Sequence, residues 1–269
     1  MKTLEELKTD RSVFSIGQAL SDGWKLVSKF LGYYILGGIL TILIGMAVGI
    51  IPFVGSIADN LVLSPCLMAG AIFVTWRISN GIGWTDFADM FKGFNFLSPL
   101  AISALIQTAA SLALAALFLF KYLDEIIKLF KLSQGSGAYR NQEEMKDVFI
   151  QMYNAGALVS FLLLMVALLF VSAIWAFKYH FIVIYKMKAW PSMDMSRRIA
   201  SHNLLPLIGF FILMVIIIII SAIPCGIGLL FSLPLLIGAT YSAFAQITHC
   251  DRANEIDEQM FDLANEKQE

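Results

Sequence analysis

The sequence predicts an all-α, polytopic membrane helix bundle with six transmembrane helices. Hydrophobic residues occupy 58% of the 269 positions and charged residues only 14%, whereas a soluble domain carries about 25% charged residues. The mean hydropathy is +0.76. Several charge-free stretches are also longer than the roughly 20 residues that one bilayer crossing requires. These three observations place the chain in the membrane class.

Two of these stretches are too long for one crossing. Residues 30–76 contain a single charged residue, Asp59, and residues 204–248 contain none. A straight helix of either length would measure roughly 70 Å, more than twice the thickness of the hydrocarbon core. Each stretch must therefore turn back near its middle, where proline and glycine residues cluster. We expect Asp59 or Asn60 to cap the second span at the outer interface.

Two shorter charge-free runs lie between these hairpins, and each is long enough to cross once. The six predicted spans are 31–51, 61–79, 93–120, 148–177, 204–223 and 227–248. Residues 121–155 hold two amphipathic stretches separated by Ser133–Gly137, which predicts a short extracytoplasmic helical hairpin. The predicted organisation is an amphipathic cytoplasmic segment (1–30), a six-span transmembrane domain (31–248) and an acidic cytoplasmic tail (249–269).

The distribution of Lys and Arg sets the predicted orientation. Most of these residues fall on the same side as the two termini, and the two tight outer turns hold none. The outer loop carries Lys121, Lys128, Lys131, Arg140 and Lys146, balanced by acidic residues. We therefore expect both termini in the cytoplasm and a multi-pass location in a bacterial inner membrane. The first apolar run is too long for a cleavable signal peptide, and we interpret it as a permanent span.

An amphipathic segment precedes each pair of spans. The three segments cover residues 15–30, 84–91 and 192–199. Ser15 and Gln18 have the spacing of a capping box, and Thr85 with Asp86 suits a helix start. The pattern predicts an internal repeat of three units, each an interfacial helix followed by a helical hairpin.

Four segments carry a family resemblance: Phe14-Ser-Ile-Gly-Gln-Ala-Leu-Ser-Asp-Gly-Trp24, the Ile-Pro-x-x-Gly turn before Leu63-Ser-Pro65, Phe87-x-x-Met-Phe-Lys-Gly-Phe94, and the Pro-x-Gly-x-Gly228 turn. In these segments the chain resembles a broad group of bacterial six-helix inner-membrane proteins. Relatives of that group include the membrane domain fused to some glycerophosphodiester phosphodiesterases. The resemblance implies a fold and a location, and no catalytic residues. Some similar proteins are labelled carotene-cleaving oxygenases, which are expected to hold iron with four histidines. This chain has three histidines, so we discount that label.

Polar residues at four-residue spacing lie within two predicted spans. Ser103, Gln107 and Ser111 form one row, and Ser242 and Gln246 form another. Each row falls on one helical face. One hypothesis is a polar seam that lines a pocket or path for a lipid or small solute. The alternative is hydrogen bonding between helices, at about 0.6–2 kcal/mol per bond.

The sequence predicts no catalytic residues, no cofactor and no metal ligands. His180, His202 and His249 lie near the cytoplasmic ends of the last three spans without paired metal-ligand spacing. We interpret them as interfacial side chains that face headgroups or water. No span is expected to bury an Asp, Glu, Lys or Arg, which argues against an ion-coupled carrier.

These observations favour a non-enzymatic integral membrane protein with a structural, lipid-associating or partner-binding role in the envelope. The expected partners are membrane phospholipids, with a membrane-protein partner or a second copy of the chain as further candidates, and no nucleic acid. A transporter of a lipid or small solute is one alternative. An intramembrane enzyme is the other.

Overall fold

The computed structural model describes residues 6–7, 12–51, 54–84, 86–133, 138–223 and 226–250. All regular structure in these ranges is helical, and no strand occurs in them. The same ranges contain six helices that are long and apolar enough to cross a membrane. The predicted all-α class and the six spans are confirmed at this level.

The helices follow one another with short connections. In chain order they are α1 (Ile16–Ser28), α2 (Leu31–Gly49), α3 (Val54–Ala58), α4 (Ser64–Ser79), α5 (Leu97–Lys121), α6 (Leu123–Ser133), α7 (Ala138–Asn154), α8 (Ala157–Ile174), α9 (Lys178–Ile184), α10 (Ala189–His202), α11 (Leu204–Ala222) and α12 (Leu229–Thr248). A π-helical turn (Asp59–Leu63) joins α3 to α4, and a 3₁₀ helix (Phe87–Phe96) leads into α5. The six apolar helical stretches are Leu31–Gly49, Val54–Ser79, Phe87–Lys121, Ala157–Ile184, Leu204–Ala222 and Leu229–Thr248.

The start of the second span differs from the prediction. The helical stretch begins at Val54 and runs through Asp59 as one π-helical turn. The Nδ2 atom of Asn60 donates to the carbonyl of Ser56 at 2.8 Å, inside this same stretch. Neither Asp59 nor Asn60 therefore caps a helix, because a π turn lets a helix continue past polar residues that the sequence pattern treats as a break.

The chain divides into two compact units. The larger contains residues 1–106 and 173–269, and the smaller contains residues 107–172. The larger unit holds the three amphipathic segments and most of the buried core. Its largest fully buried side chains include Phe73, Phe177, Phe181, Phe210, Tyr241 and Phe244.

Within the larger unit, α1 packs against α12 through glycines. A Cβ atom placed on Gly23 would lie 2.4 Å from the backbone nitrogen of Ala239, and one on Gly238 would lie 2.5 Å from the carbonyl oxygen of Gly23. Contacts this short leave no room for a side chain on either helix. Small residues at such a crossing let two helix backbones approach closely, which maximises van der Waals contact.

The 3₁₀ helix packs against α4 in the same way. A Cβ atom on Gly70 would lie 1.6 Å from the carbonyl oxygen of Met90, and one on Gly93 would lie 2.0 Å from that of Cys66. The start of this segment agrees with the prediction in part, because the Asp86 carboxylate accepts a hydrogen bond from the Ala88 amide at 2.9 Å. Thr85 lies outside the described residues.

The third amphipathic segment, α10, contacts α9. It begins at Ala189, three residues before the predicted start. The Ser196 hydroxyl accepts a hydrogen bond from the Phe177 amide at 3.1 Å and donates to the Ile174 carbonyl at 2.9 Å. Each amphipathic segment thus packs on the second span of another pair. α1 contacts the sixth span, the 3₁₀ helix contacts the second span, and α10 contacts the fourth. The internal repeat as such stays a prediction.

A buried ion pair joins the 3₁₀ helix to α4. The Nη1 atom of Arg77 lies 2.6 Å from Oδ2 of Asp89, and both side chains are only 7% exposed. Lys92 contacts the other carboxylate oxygen at 3.3 Å and is 35% exposed. Arg77 therefore occupies the buried end of a span, contrary to the expectation that no span buries a charged residue.

The smaller unit contains most of α5, all of α6 and α7, and most of α8. The predicted helical hairpin is present as α6 and α7, which contact each other, while the turn at 134–137 lies outside the described residues. Tyr122 is 1% exposed, and its hydroxyl lies 2.9 Å from that of Ser160 and donates to the Ala155 carbonyl at 3.3 Å. Gly156, with a φ of 79°, separates α7 from α8, so the predicted fourth span begins at Ala157 instead of Val148.

Substituting Gly23 with Ala should destabilise the protein, because the added methyl group overlaps the backbone of Ala239 on α12. Overpacking of this kind costs about 1–3 kcal/mol. The thermal unfolding midpoint in detergent should fall clearly below that of the unmodified protein. Gly17→Ala in the same helix is the matched control, since nothing lies within 4 Å of a Cβ atom there. An unfolding midpoint of Gly23→Ala equal to that of Gly17→Ala would contradict this packing.

Substituting Asp89 with Asn should also destabilise the fold, because it removes the carboxylate that faces the buried guanidinium of Arg77. Removing one partner of a buried pair costs about 3–5 kcal/mol. Lys92→Gln is the control, and a partly exposed pair of this type contributes only about 0–1 kcal/mol. Chemical unfolding followed by tryptophan fluorescence measures both variants. Equal losses for the two would show that burial does not set the strength of the Arg77 contact.

Candidate functional site

A polar cleft of about 580 Å³ lies along the contact between α1 and α12. Its walls combine one face of α1 with one face of α12, both at helical spacing. The lining residues are Val13, Gln18, Asp22, Lys25, Leu26, Lys29, Ser79, Tyr241, Ser242, Ala245, Gln246 and His249. The cleft therefore contains two residues of the predicted polar seam, Ser242 and Gln246.

The segment before α1 is held in place by Asn203, which is 1% exposed. Its Oδ1 atom accepts a hydrogen bond from the Phe14 amide at 3.3 Å, and its Nδ2 atom donates to the Ser12 carbonyl at 3.1 Å. The Phe14 ring meets the ring of Phe210 edge-on, with centroids 6.0 Å apart. These contacts fix where α1 begins and hence where its polar face lies.

The predicted capping box at the start of α1 is wrong. Ser15 occupies the N-cap position with an extended backbone, but its side chain caps no amide of the helix. The Ser15 amide instead donates to Oε1 of Gln246 at 2.9 Å. A tertiary contact with α12 thus replaces the local hydrogen bond that the Ser15–Gln18 spacing predicted.

Gln246 is the polar residue that joins the two walls. Because its oxygen accepts the Ser15 amide, the orientation of the side-chain amide is determined by that bond. Its Nε2 atom is buried and has no hydrogen-bond partner among the described residues. An amide nitrogen carries two donor hydrogens, and leaving them unpaired inside a protein is unfavourable.

Hydrogen bonds link the residues at the floor of the cleft. The Tyr241 and Ser79 hydroxyls lie 2.5 Å apart, and the Cys250 thiol donates to the Tyr241 hydroxyl at 3.6 Å. Tyr241 is 0% exposed as a residue, and its ring is packed near His180 with centroids 6.4 Å apart. These bonds hold the floor in one arrangement, so a ligand would meet a preformed surface.

The charges of the cleft come from α1. Lys25 lies in the last turn of the helix, where a cation interacts favourably with the helix dipole. It also pairs with Asp22 at 2.9 Å, and the two side chains are 68% and 52% exposed. Lys29 follows one turn later and is exposed. Asp22 is the only acidic side chain among the described residues that line the cleft, so the charge there is net positive.

The other seam residues lie away from this cleft's lining. Ser103 is buried, and its hydroxyl donates to the Leu100 carbonyl at 2.9 Å within its own helix. Gln107 and Ser111 are half-buried in the smaller unit. A common path lined by both rows stays a prediction.

Hydroxyl groups inside the spans bond mainly within their own helices. Those of Thr41, Thr75, Ser103, Thr240 and Thr248 each donate to a carbonyl three or four residues earlier. This is a common way to satisfy a hydroxyl in a low-dielectric setting without a partner helix. The Thr75 hydroxyl also lies 2.7 Å from that of Tyr34 and so joins α4 to α2, whereas the other four bonds serve local structure.

The histidines separate into three environments. His180 is 1% exposed and lies among aromatic rings, with ring centroids 5.0 Å from Phe244 and 5.9 Å from Phe177. Its interpretation as an interfacial side chain is therefore wrong, because the aromatic core of the larger unit extends to this end of the fourth span. His202 is exposed and His249 is half-buried beside the cleft.

Lys178 is a buried cation that the sequence pattern did not predict. It is 2% exposed, its Nζ atom donates to the Ser103 carbonyl at 3.1 Å, and it lies 4.6 Å from the centroid of the Tyr179 ring. The sequence places it at a span end, where lysine ordinarily reaches water. Among the described residues, no group of three His, Cys, Asp or Glu side chains could hold a metal ion.

A family model described as a domain of unknown function (DUF7847) matches residues 135–254, less than half of the chain. The matched range includes α12 with Gln246 and His249, but not α1 with its lysines. No curated protein and no solved structure matches the chain. The match is compatible with a membrane protein of unknown activity, and the resemblance to the bacterial six-helix group stays a prediction.

Replacing Asn203 with Leu should release the segment before α1, because the Phe14 amide and the Ser12 carbonyl lose their buried partner. Losing a buried hydrogen bond costs about 1–3 kcal/mol. Deuterium uptake over residues 12–20 should become about ten- to a hundredfold faster by mass spectrometry, since 1.4 kcal/mol corresponds to a factor of ten. Asn60→Leu is the control, because its amide bonds within its own helical stretch. Unchanged uptake in the Asn203 variant would show that the segment is held elsewhere.

Proposed function

We propose that this protein is a non-enzymatic integral membrane protein that associates with phospholipid headgroups through its three amphipathic segments. One observation carries the proposal: each segment exposes an aromatic side chain beside a basic one. Trp24, Phe91 and Trp190 are 40%, 37% and 71% exposed. Lys25 and Lys92 directly follow the first two, and Lys188 lies two positions before the third.

This combination suits the boundary between hydrocarbon and water. Aromatic rings, above all those of tryptophan, are enriched at the headgroup level of membranes. Lysine side chains on the polar face of an interfacial helix are attracted to anionic lipids. A segment that carries both kinds of side chain is therefore stabilised along the bilayer surface more than in water or in hydrocarbon.

The order of the elements supports one shared interface. Each amphipathic segment leads into an odd-numbered span, and successive spans cross in alternating directions. Crossing in this way places all three segments at the same end of the larger unit. The bias in Lys and Arg assigns that end to the cytoplasm, where the leaflet is anionic.

Two arginines of the third segment pair with an acidic residue of the same helix. Arg197 and Arg198 bond the carboxylate of Asp194 at 2.7 and 2.8 Å. The hydrogen bonds from these two guanidinium groups hold the pKa of the Asp194 carboxyl below its ordinary value. Asp194 therefore offsets one of these two positive charges, and α10 together with Lys188 keeps a net positive charge.

The close glycine contacts give the association a mechanical consequence. Since α1 and the 3₁₀ helix approach α12 and α4 at backbone distance, we expect each segment to move together with the span that it touches. A change in leaflet composition or packing that shifts an interfacial segment would therefore displace a transmembrane helix. The proposed role is to shape or sense the inner leaflet.

Native mass spectrometry in mild detergent tests this proposal. The unmodified protein should retain phospholipid, and the triple variant Trp24→Leu, Phe91→Leu and Trp190→Leu should retain clearly less. Leucine keeps these positions apolar but removes the preference of the ring for the headgroup level.

The matched control replaces three exposed aromatic residues within transmembrane helices: Phe120→Leu, Phe161→Leu and Phe170→Leu. This variant should retain as much lipid as the unmodified protein. Absence of retained lipid in the unmodified protein, or equal loss in both variants, would overturn the proposal.

A further inference from the structure

We infer that the cleft between α1 and α12 binds the phosphate group of an anionic phospholipid. This inference rests on the proposed association with headgroups, and it assigns a specific site and ligand chemistry to it. The observations that carry it are the charge of the cleft, an unpaired donor in its wall, and its size and position.

The charge of the cleft favours an anion. Lys25 and Lys29 lie four residues apart on α1, so both project from the same helical edge. Gln18 and Asp22 continue that edge, and Asp22 is the single acid among the described lining residues. The pair of Asp22 with Lys25 is exposed, and exposed pairs contribute little stability. Lys25 can therefore turn toward a phosphate at small cost.

The wall of the cleft supplies a hydrogen-bond donor without an acceptor. Gln246 uses Oε1 to accept the Ser15 amide, which leaves Nε2 as the end that lacks a partner among the described residues. A phosphate oxygen accepts such a donor without offering a competing one. Ser242 places a hydroxyl group in the same lining, whereas the Ser79 hydroxyl already bonds Trp76 and Tyr241.

The size and position of the cleft suit a headgroup. A volume of about 580 Å³ equals that of roughly twenty water molecules at about 30 Å³ each. Three aliphatic residues, Val13, Leu26 and Ala245, share the lining with the polar side chains, and Val13 is 63% exposed. The glycerol region of a lipid can contact these residues while its phosphate meets the lysines. The α12 residues of the lining, Tyr241 to Gln246, lie in the C-terminal half of that helix. This is the end of the last span that the proposed function assigns to the headgroups.

Binding of short-chain lipids to the full-length protein in detergent tests the inference. The probes are dioctanoyl-phosphatidylglycerol, dioctanoyl-phosphatidylcholine and inorganic phosphate, and the readout is the dissociation constant from microscale thermophoresis. We expect phosphatidylglycerol to bind at least about tenfold more tightly than phosphatidylcholine, because only the former carries a net negative charge. Weak binding of inorganic phosphate would support a lipid as the source. Binding of phosphate as tight as that of phosphatidylglycerol would instead overturn the assignment to a lipid.

Two variants test the residues themselves. Lys25→Gln with Lys29→Gln should weaken phosphatidylglycerol binding by about tenfold, since charged hydrogen bonds contribute about that much. Gln246→Glu should do the same, because a glutamate still accepts the Ser15 amide but presents a negative charge in place of the donor. Thermal unfolding verifies that each variant is folded. If the Gln246→Glu variant does not fold, the binding measured for the lysine variant alone tests the site.

The control is Lys128→Gln with Lys131→Gln, which removes two positive charges from α6 in the smaller unit. It should bind phosphatidylglycerol within about twofold of the unmodified protein, because these residues do not line the cleft. Equal weakening by the α1 and α6 variants would overturn the site in favour of a general charge effect. Retention of phospholipid by a protein that shows no preference for phosphatidylglycerol would overturn the site and leave the proposed headgroup association standing.

Discussion

Because the bilayer core offers no water, each backbone polar group within it must bond inside the chain. This constraint explains why the described residues form helices throughout and why the two longest apolar stretches fold back as hairpins. It also explains the behaviour of hydroxyl groups in the spans, which donate to carbonyls of their own helices. Even the polar residues at Asp59 and Asn60 are accommodated by a π-helical turn instead of a break.

The same constraint decides where charge can be buried. Arg77 and Lys178 lie at the ends of spans and not at their centres, and each meets a partner there: the carboxylate of Asp89 for one and the carbonyl of Ser103 for the other. A cation in the middle of a span would lack such partners and would be costly. The Arg77 contact joins α4 to the 3₁₀ helix that follows it, and the Lys178 contact joins residues 75 positions apart. Both therefore contribute to the packing of the larger unit as well as to the solvation of the charge.

Glycine provides the second organising feature of the larger unit. The approach of α1 to α12 and of the 3₁₀ helix to α4 brings backbone atoms together where any side chain would collide. In a membrane, where apolar surface gains little from leaving lipid, such close contact is a main source of helix association. The polar cleft follows directly from it, since the glycine contact at Gly23 brings the lysines of α1 beside Gln246 and Ser242 of α12.

Much of the fold could be predicted from the sequence. Long stretches without charge determine the membrane class, the number of spans and most of their bounds, because the hydrophobic thickness of a bilayer is known in advance. The four-residue spacing also predicted that Ser242 and Gln246 share one helical face, and both line the same cleft. The lysines that join them in the cleft were seen in the sequence only as markers of orientation.

Only the tertiary structure shows which residues the polar helical faces contact. The Ser15–Gln18 spacing predicted a local cap, yet the Ser15 amide bonds Gln246, more than two hundred residues away. His180 and Lys178 lie near the end of a predicted span, yet both are buried. His180 packs against the ring of Phe244, and Lys178 donates to the carbonyl of Ser103. Local sequence patterns indicate whether a segment lies in lipid or in water. Contacts between distant segments depend instead on packing in three dimensions. For that reason the sequence by itself determined a six-span membrane protein, and only the structure brought together the residues of its cleft.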